Sequence, residues 1–222
     1  MIKILTTRSP RIRPTTTRPR LTIRGVKRET TDDKHGLRFE SRQRRREFQN
    51  WQSVANATEH LDHLPGPGCT LHAIMRGNYS YGDLIPAVLR LAAPTTLAYV
   101  AITTLGFSVR ASSAILRLLD SGQIGTADFV CADFFEKADA EVCHQFRADL
   151  AARGSRFTSA RCHAKVLLFK TTAGEHYTSE SSANIRACRS IEQFAFTNDR
   201  ELFDFHRQWI QGLFDATKKT TD

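Results

Sequence analysis

The pattern of apolar and polar positions changes near residue 65. Beyond that point, short apolar runs typical of strands alternate with stretches in which apolar residues recur at helical spacing. The short runs predict strands at 70–75, 96–104 and 127–132, and the helical stretches predict helices at 82–92, 109–119 and 138–152. Because this alternation is typical of parallel sheets covered on both faces, we expect an α/β fold with a mixed, largely parallel β-sheet sandwiched by helices.

The last third of the chain has a different pattern. Its strand-like segments lie close together, at 156–160, 164–170, 176–178 and 193–196. Such spacing indicates antiparallel or mixed additions to the sheet. An amphipathic helix is predicted at 199–216, and its broad apolar face is expected to pack on the sheet.

The first part of the chain lacks apolar periodicity. Arg, Thr and Pro dominate residues 1–49, and such a composition cannot offset the entropy of ordering the chain. We therefore predict a basic, largely disordered arm at 1–64, with a short helix from residue 42 to about 58. The run Pro65-Gly66-Pro67-Gly68 marks the boundary with a folded domain at 65–222.

Nearly all the excess positive charge lies in this arm. Residues 1–50 hold 15 Lys and Arg against 5 acidic residues, whereas residues 51–222 hold 17 against 18. A tail with this balance attracts polyanions, so a nucleic-acid partner is predicted, with Arg42, Arg44, Arg45 and Arg46 as binding residues. An anionic lipid surface would attract the tail by the same physics, and a charge run that is only solvated is the simplest alternative.

Cysteine usage and hydropathy indicate the compartment. The five cysteines are an odd number and none are spaced as Cys-x-x-Cys, which argues against a disulfide framework and a zinc ribbon. No stretch approaches the roughly 18 apolar residues of a membrane span. The sequence therefore predicts reduced thiols, no metal, no stable membrane insertion and a cytoplasmic location.

Residues suited to phosphoryl chemistry accompany the strand predicted at 164–170. His163 and Lys165 stand at its entrance, two positions apart, so their side chains should share one face. Ser182, Asn184 and Glu192 follow. Each residue alone would be an ordinary surface or turn residue, and Glu192 would be a solvated partner of Arg189. Together they supply a nucleophile, a cation, two hydrogen-bond donors and a carboxylate.

This constellation resembles the signature of the phospholipase D-like superfamily, in which His-x-Lys is followed by Gly-Ser-x-Asn and a later Glu. The resemblance covers about 69–198 and implies a phospholipase D-like catalytic domain at 65–222. It also implies a cofactor-free, metal-independent phosphodiesterase, most simply a nuclease. His163 would form a phosphohistidine, Lys165 and Asn184 would hold the phosphate oxygens, Ser182 would donate a further hydrogen bond, and Glu192 would orient His163.

Two positions depart from the family pattern. Lys170 stands where the family carries Asp, and Ser181 stands where it carries Gly. The departures leave open a catalytically silent module for nucleic-acid binding or assembly. A third hypothesis keeps the chemistry and assigns a phospholipid headgroup as substrate.

The number of His-x-Lys motifs in the chain predicts how the protein assembles. Members of the family place two His-x-Lys sets face to face, one histidine attacking and the other protonating the leaving oxygen. Of the eight histidines, only His163 is followed by Lys two places on. The resemblance therefore implies a single-motif, nuclease-type member that forms a two-fold homodimer with one composite pocket.

Overall fold

The computed structural model describes residues 42–186 and 190–219, without the side chains of residues 42–48, 218 and 219. Within that part of the chain there are seven strands: β1 (Thr70–Met75), β2 (Leu97–Thr104), β3 (Ile124–Ala132), β4 (Arg156–Ala160), β5 (Val166–Thr171), β6 (His176–Ser181) and β7 (Glu192–Asn198). The six helices are α1 (Arg42–Leu61), α2 (Leu84–Ala92), α3 (Val109–Asp120), α4 (Asp133–Ala138), α5 (Ala140–Ala151) and α6 (Arg200–Lys219). Every strand and helix predicted from the pattern is present, whereas the short helix α4 was not predicted.

The seven strands form one sheet in the order β1-β7-β6-β5-β2-β3-β4. Only β2 with β3 and β3 with β4 pair in parallel, and the other four pairs are antiparallel. The sheet is mixed, as predicted, but the expectation that it is largely parallel is wrong. The reason is that the antiparallel run β5-β6-β7 inserts between β2 and β1, so β1 pairs with β7 and not with β2.

Strand direction gives the sheet two unlike ends. At one end, which we call the upper end, β1, β2, β3, β4 and β6 finish and β5 and β7 begin. Thr103 near the end of β2 pairs with Val166 at the start of β5, and Val166 pairs with Glu180 of β6. The predicted site residues lie in the segments that enter or leave the sheet at this upper end.

Helices cover both faces of the sheet, as the sequence predicts. Alternate side chains of β2 and β5 point to opposite faces, as strand geometry requires. Val100, Ile102, Leu167 and Phe169 belong to a large core cluster with residues of α1, α2, α3 and α5. On the other face, a smaller cluster that we call the α6-side cluster joins Ala101, Val130, Val166 and Leu168 to Phe203, Ile210 and Phe214 of α6.

Helix α1 belongs to the folded part of the chain. The compact unit runs from Gln43 to Asp222, and the α1 residues Ala57 and Leu61 are fully buried in its core. The helix predicted from residue 42 is thus present and extends to Leu61. The division of the chain at 64 and 65 remains a prediction, and the disorder predicted for residues 1–41 lies outside the described residues.

Candidate active site

His163 and Lys165 lie in the connection from β4 to β5, which passes the upper ends of β3 and β2. Cys162 and Ala164 pack against the α6-side cluster, whereas Arg161 and His163 are exposed. This alternation directs His163 out of the protein at the upper end of the sheet. The predicted position of His163 and Lys165 at a strand entrance is therefore confirmed.

The side chains of His163 and Lys165 are in contact. Lys165 Nζ lies 2.8 Å from His163 Nδ1 and 3.4 Å from Nε2. An ammonium group donates hydrogen bonds and accepts none. A ring nitrogen that accepts such a bond carries no proton, and neutral imidazole can act as a nucleophile.

A buried threonine holds the backbone between these two residues. Thr103 Oγ1 donates to the carbonyl oxygen of Ala164 at 3.1 Å and accepts from the amide of Val166 at 2.9 Å. Thr103 is fully buried at the end of β2. One hydroxyl thus bonds to the backbone on both sides of Lys165. The sequence analysis missed this residue, because a threonine in an apolar strand has no feature that distinguishes an anchor from an ordinary core position.

The carboxamide of Asn184 is held at its oxygen. Oδ1 accepts from the amide of Leu105 at 2.9 Å and from Thr104 Oγ1 at 3.2 Å. No bond from its Nδ2 group to a protein atom occurs among the described residues, so its two N–H donors remain for another acceptor. Gly106 keeps this loop close to the core, because a Cβ there would lie 2.7 Å from the Phe135 ring.

Ser182 and Glu192 form a second contacting pair. The Ser182 hydroxyl donates to the Glu192 carboxylate and accepts from the amide of Gln193 at 3.1 Å. This pair lies beside Lys165, because the amide of Ser181 donates to the Lys165 carbonyl oxygen at 3.0 Å. The contact of Glu192 described here is with Ser182, and its predicted role in orienting His163 stays a prediction.

The two departures from the family pattern have different structural meanings. Ser181 stabilises the turn in place of glycine, since its hydroxyl donates to the Gln193 carbonyl at 2.6 Å and accepts from the Ala183 amide at 2.9 Å. Lys170 lies four residues along β5 from Val166, about 13 Å away, and pairs with His176. The carboxylate that the family pattern has at position 170 would therefore lie at the end of β5 opposite to His163 and Lys165.

Other candidate chemistries find little support in the described residues. Across residues 42–186 and 190–219, no three His, Cys, Asp or Glu side chains are grouped so that they could hold a metal ion. Cys131 and Cys143 are buried, and burial raises the pKa of both thiols, which disfavours the reactive thiolate. The side chains of Arg42, Arg44, Arg45 and Arg46, which were predicted to bind nucleic acid, lie outside the described part.

A groove of about 910 Å³ between α1, α2 and α3 does not include the five predicted site residues in its lining. Its lining holds two carboxylates, Asp83 and Asp120, and Asp120 accepts hydrogen bonds from Arg153. Asp83 accepts hydrogen bonds from Ser53, Ser80 and Arg110. Asp83 is thus accounted for as a structural anchor that joins α1 to α3.

None of the helices in the described residues combines the length and apolar character needed to cross a bilayer.

Comparison with known proteins gives partial structural likenesses. No protein-family profile and no curated protein sequence matches the chain. Among solved structures, Nuc from Salmonella typhimurium, a phospholipase D family member, has a TM-score of 0.48 at 11% identity, covering 66% of this chain and 94% of Nuc. The phosphatidylserine synthase of Haemophilus influenzae has a TM-score of 0.42 at 12% identity, covering 72% of this chain and 40% of the synthase.

A mutant of yeast tyrosyl-DNA phosphodiesterase has a TM-score of 0.38 at 11% identity, covering 58% of this chain and 32% of that protein. The chain therefore spans less than half the length of the synthase and of the yeast enzyme. At these identities and TM-scores, no conclusion about the activity of this chain rests on the likenesses.

Proposed function

We propose that this protein is a phosphodiesterase that hydrolyses phosphodiester bonds of nucleic acid through a covalent phosphohistidine. The observation that carries the proposal is the contact between the exposed His163 ring and Lys165 Nζ, 2.8 Å apart, at the end of the sheet where Asn184 is also anchored. An imidazole ring lies there beside an ammonium group. Both are needed for attack on an anionic phosphorus centre.

In the first step, a ring nitrogen of His163 attacks phosphorus and forms an N–P bond. Lys165 transfers its hydrogen bonds from the ring to a non-bridging oxygen, which becomes more negative as the attack proceeds. The two N–H donors of Asn184 serve a second oxygen, because its carboxamide oxygen is already bonded to Leu105 and Thr104. The Ser182–Glu192 pair fixes the loop that carries Asn184, and the Ser182 hydroxyl would assist by turning its one hydrogen from Glu192 to the phosphate.

The bond from phosphorus to the leaving oxygen then breaks, and that oxygen needs a proton. General acid catalysis requires a titratable group on the far side of phosphorus from the nucleophile. His163 of a second copy would supply it in a homodimer, and the same group would then activate water to hydrolyse the phosphohistidine. We include the homodimer and independence of metal in the proposal.

The proposal is tested with a chromogenic phosphodiester and with labelled DNA and RNA. His163→Ala should lower kcat about a thousandfold or more, since it removes both nucleophile and acid. His144→Ala is the matched control, because His144 is an exposed histidine on α5. Quenching of the wild type in alkaline denaturant with phosphorus-labelled substrate should trap label on the protein, because a phosphohistidine is stable in base and labile in acid, and the label should be absent from His163→Ala.

The metal-free mechanism has its own test. Hydrolysis should continue at an unchanged rate in excess EDTA. Loss of activity with EDTA and recovery with magnesium would contradict the mechanism. If the wild type and His163→Ala bind nucleic acid equally well and neither cleaves it, the result would favour the silent binding module. Cleavage of phospholipid headgroups in preference to nucleic acid would favour the lipid substrate.

A further inference from the structure

Three exposed arginines follow the segments that end at the upper end of the sheet. Arg76 comes directly after β1, Arg161 directly after β4, and Arg186 two residues after Asn184. None of them belongs to the basic arm or to the predicted motif. Their positions relative to His163 and Lys165 follow from the strand order.

Arg161 lies on the same side of the connection as His163. Strands β2, β3 and β4 are parallel, so they finish together, and the β4–β5 connection starts with Arg161. Cys162 and Ala164 pack inward against the α6-side cluster, and the exposed residues alternate with them. Arg161 and His163 therefore emerge on the same surface, two residues apart.

Arg186 and Arg76 lie on the other side of the site. Arg186 lines a small depression together with Met75, the last residue of β1, and Glu192, the first residue of β7. Arg76 follows Met75 directly. From Arg76 to Arg161 the sheet spans seven strands, and six spacings of about 4.8 Å make about 29 Å.

These three guanidinium groups differ from several other arginines of the described residues. Arg110, Arg147, Arg153 and Arg156 each form an ion pair with a carboxylate. For Arg76, Arg161 and Arg186, residues 42–186 and 190–219 show no ion pair and no hydrogen bond to the side chain.

Carboxylates near the upper end do not cancel this charge. Glu192 accepts a hydrogen bond from Ser182, and Asp133, which follows β3, accepts one from the Phe134 amide. A third carboxylate at this end, Glu180, lies 3.3 Å from His206 of α6. Three acids thus stand against the three arginines and Lys165.

We propose that Arg76, Arg186 and Arg161, with Lys165 between them, form a phosphate-binding track for a single nucleic-acid strand across the upper end of the sheet. Guanidinium groups suit phosphate because they present several donors in a planar fork. Contacts of this kind position a strand without reading its bases, so binding should be indifferent to sequence. The inference deepens the proposed function and relies on it for the choice of nucleic acid as ligand.

Binding is measured with the full-length chain carrying His163→Ala, so that cleavage cannot interfere. The probe is a fluorescent single-stranded DNA long enough to cross the sheet, and its affinity is followed by anisotropy over a range of salt concentrations. Arg76→Gln, Arg161→Gln and Arg186→Gln should each lower the slope of log affinity against log salt by about 0.7, and the triple variant by about 2.

Arg90→Gln is the matched control, because Arg90 is also exposed but lies on α2. The Arg90→Gln substitution should leave the slope unchanged. A second oligonucleotide of different sequence should give the same slope as the first. A triple variant with the slope of the Arg90→Gln control would overturn the track. So would a larger effect of the triple variant on binding to vesicles of anionic phospholipid than on binding to DNA.

The outcomes for the track and for the enzyme are separable. A reduced slope together with a wild type that does not cleave would support the track and refute the proposed hydrolysis. Cleavage by the wild type, together with an unchanged slope in the triple variant, would refute the track and leave the hydrolysis standing.

Discussion

Thr103 is a single side chain on which the shape of the site depends. Its hydroxyl is fully buried and bonds the backbone at Ala164 and at Val166. A hydroxyl can donate one bond and accept others, so one threonine satisfies both a carbonyl and an amide of the backbone. Thr103 is thus a positioning residue, since it acts through the backbone that carries His163 and Lys165.

Replacing Thr103 by valine keeps the shape and removes both bonds. We expect Thr103→Val to lower the free energy of unfolding by about 1–3 kcal/mol and to lower kcat by about tenfold to a hundredfold, because the reacting groups shift. Thr103→Ser keeps the hydroxyl, so it should retain most of the free energy of unfolding and most of kcat. Chemical unfolding and steady-state kinetics measure the two effects.

Thr178→Val is the matched control for this substitution. Thr178 is also buried in a central strand, but its hydroxyl has no hydrogen-bond partner among the described residues. Valine there should not destabilise the protein. Equal effects of Thr103→Val and Thr178→Val on kcat would contradict the positioning role.

At this scale the sequence predicted the chemical groups but not their contacts. His163 and Lys165 were recognisable because their spacing places them on one face of an extended segment. The partner of Asn184 was not recognisable, since Leu105 holds it through a backbone amide, which every residue carries except proline. The place of position 170 was also not recognisable, because the motif alone does not show that β5 carries Lys170 away from His163 and Lys165.

At the scale of elements, helix α6 packs on strand β6 through two histidines whose pKa values are lowered, His206 and His176. His206 of α6 is nearly buried, accepts a hydrogen bond from Trp209 Nε1 at 3.0 Å, and has Nε2 3.3 Å from the Glu180 carboxylate. Burial lowers the pKa of His206 below its ordinary value of 6.5, although Glu180 opposes the shift. Burial, with Arg200 and Lys170 nearby, also lowers the pKa of His176, whose ring contacts Phe203 of α6.

The direction of the pH dependence follows from these pKa values. Below 6.5 the unfolded chain takes up protons at these histidines more readily than the folded chain does, so acid favours unfolding. The contribution of these histidines to the free energy of unfolding is therefore fully present above pH 6.5. It is lost as the pH falls through their lower pKa values in the folded protein. Urea unfolding should show a lower free energy at about pH 5.5 than at about pH 7.5.

The variant His206→Gln should reduce this difference between the two pH values, because glutamine does not titrate. The exposed histidine His144 provides the control, and His144→Gln should leave the difference as in the wild type. A wild-type pH dependence that His206→Gln leaves unchanged would show that His206 is not the group responsible.

The elements themselves were predictable, but their order in the sheet was not. Periodicity marks β1 and α3 because each has its own local pattern of burial. The order depends on which strands pair, and the pairing of β1 with β7 joins segments that share no local signal. Strand and helix alternation in the first half favoured a parallel sheet, and the antiparallel run β5-β6-β7 then overrode it.

For the whole molecule, the proposed homodimer makes a quantitative prediction. Each composite site would need His163 from both chains, so a mixed dimer of wild type and His163→Ala has no complete site. After subunit exchange in an equal mixture, activity should fall to about a quarter of that of the same total amount of wild type. Half of the activity would show that each chain works alone. Sedimentation of the wild type provides the check that a dimer exists.

The placement of β1 beside β7 also affects how the chain acquires its structure. The hydroxyls of Thr70 and Thr197 meet at 3.0 Å across 127 residues of chain, and β7 is the only strand that pairs with β1 in the described residues. Closing so large a loop costs entropy before any contact offsets it, and such topologies fold slowly. During synthesis on the ribosome, β1 would emerge before its partner β7 has been made. Until then its backbone donors and acceptors could pair with other nascent chains.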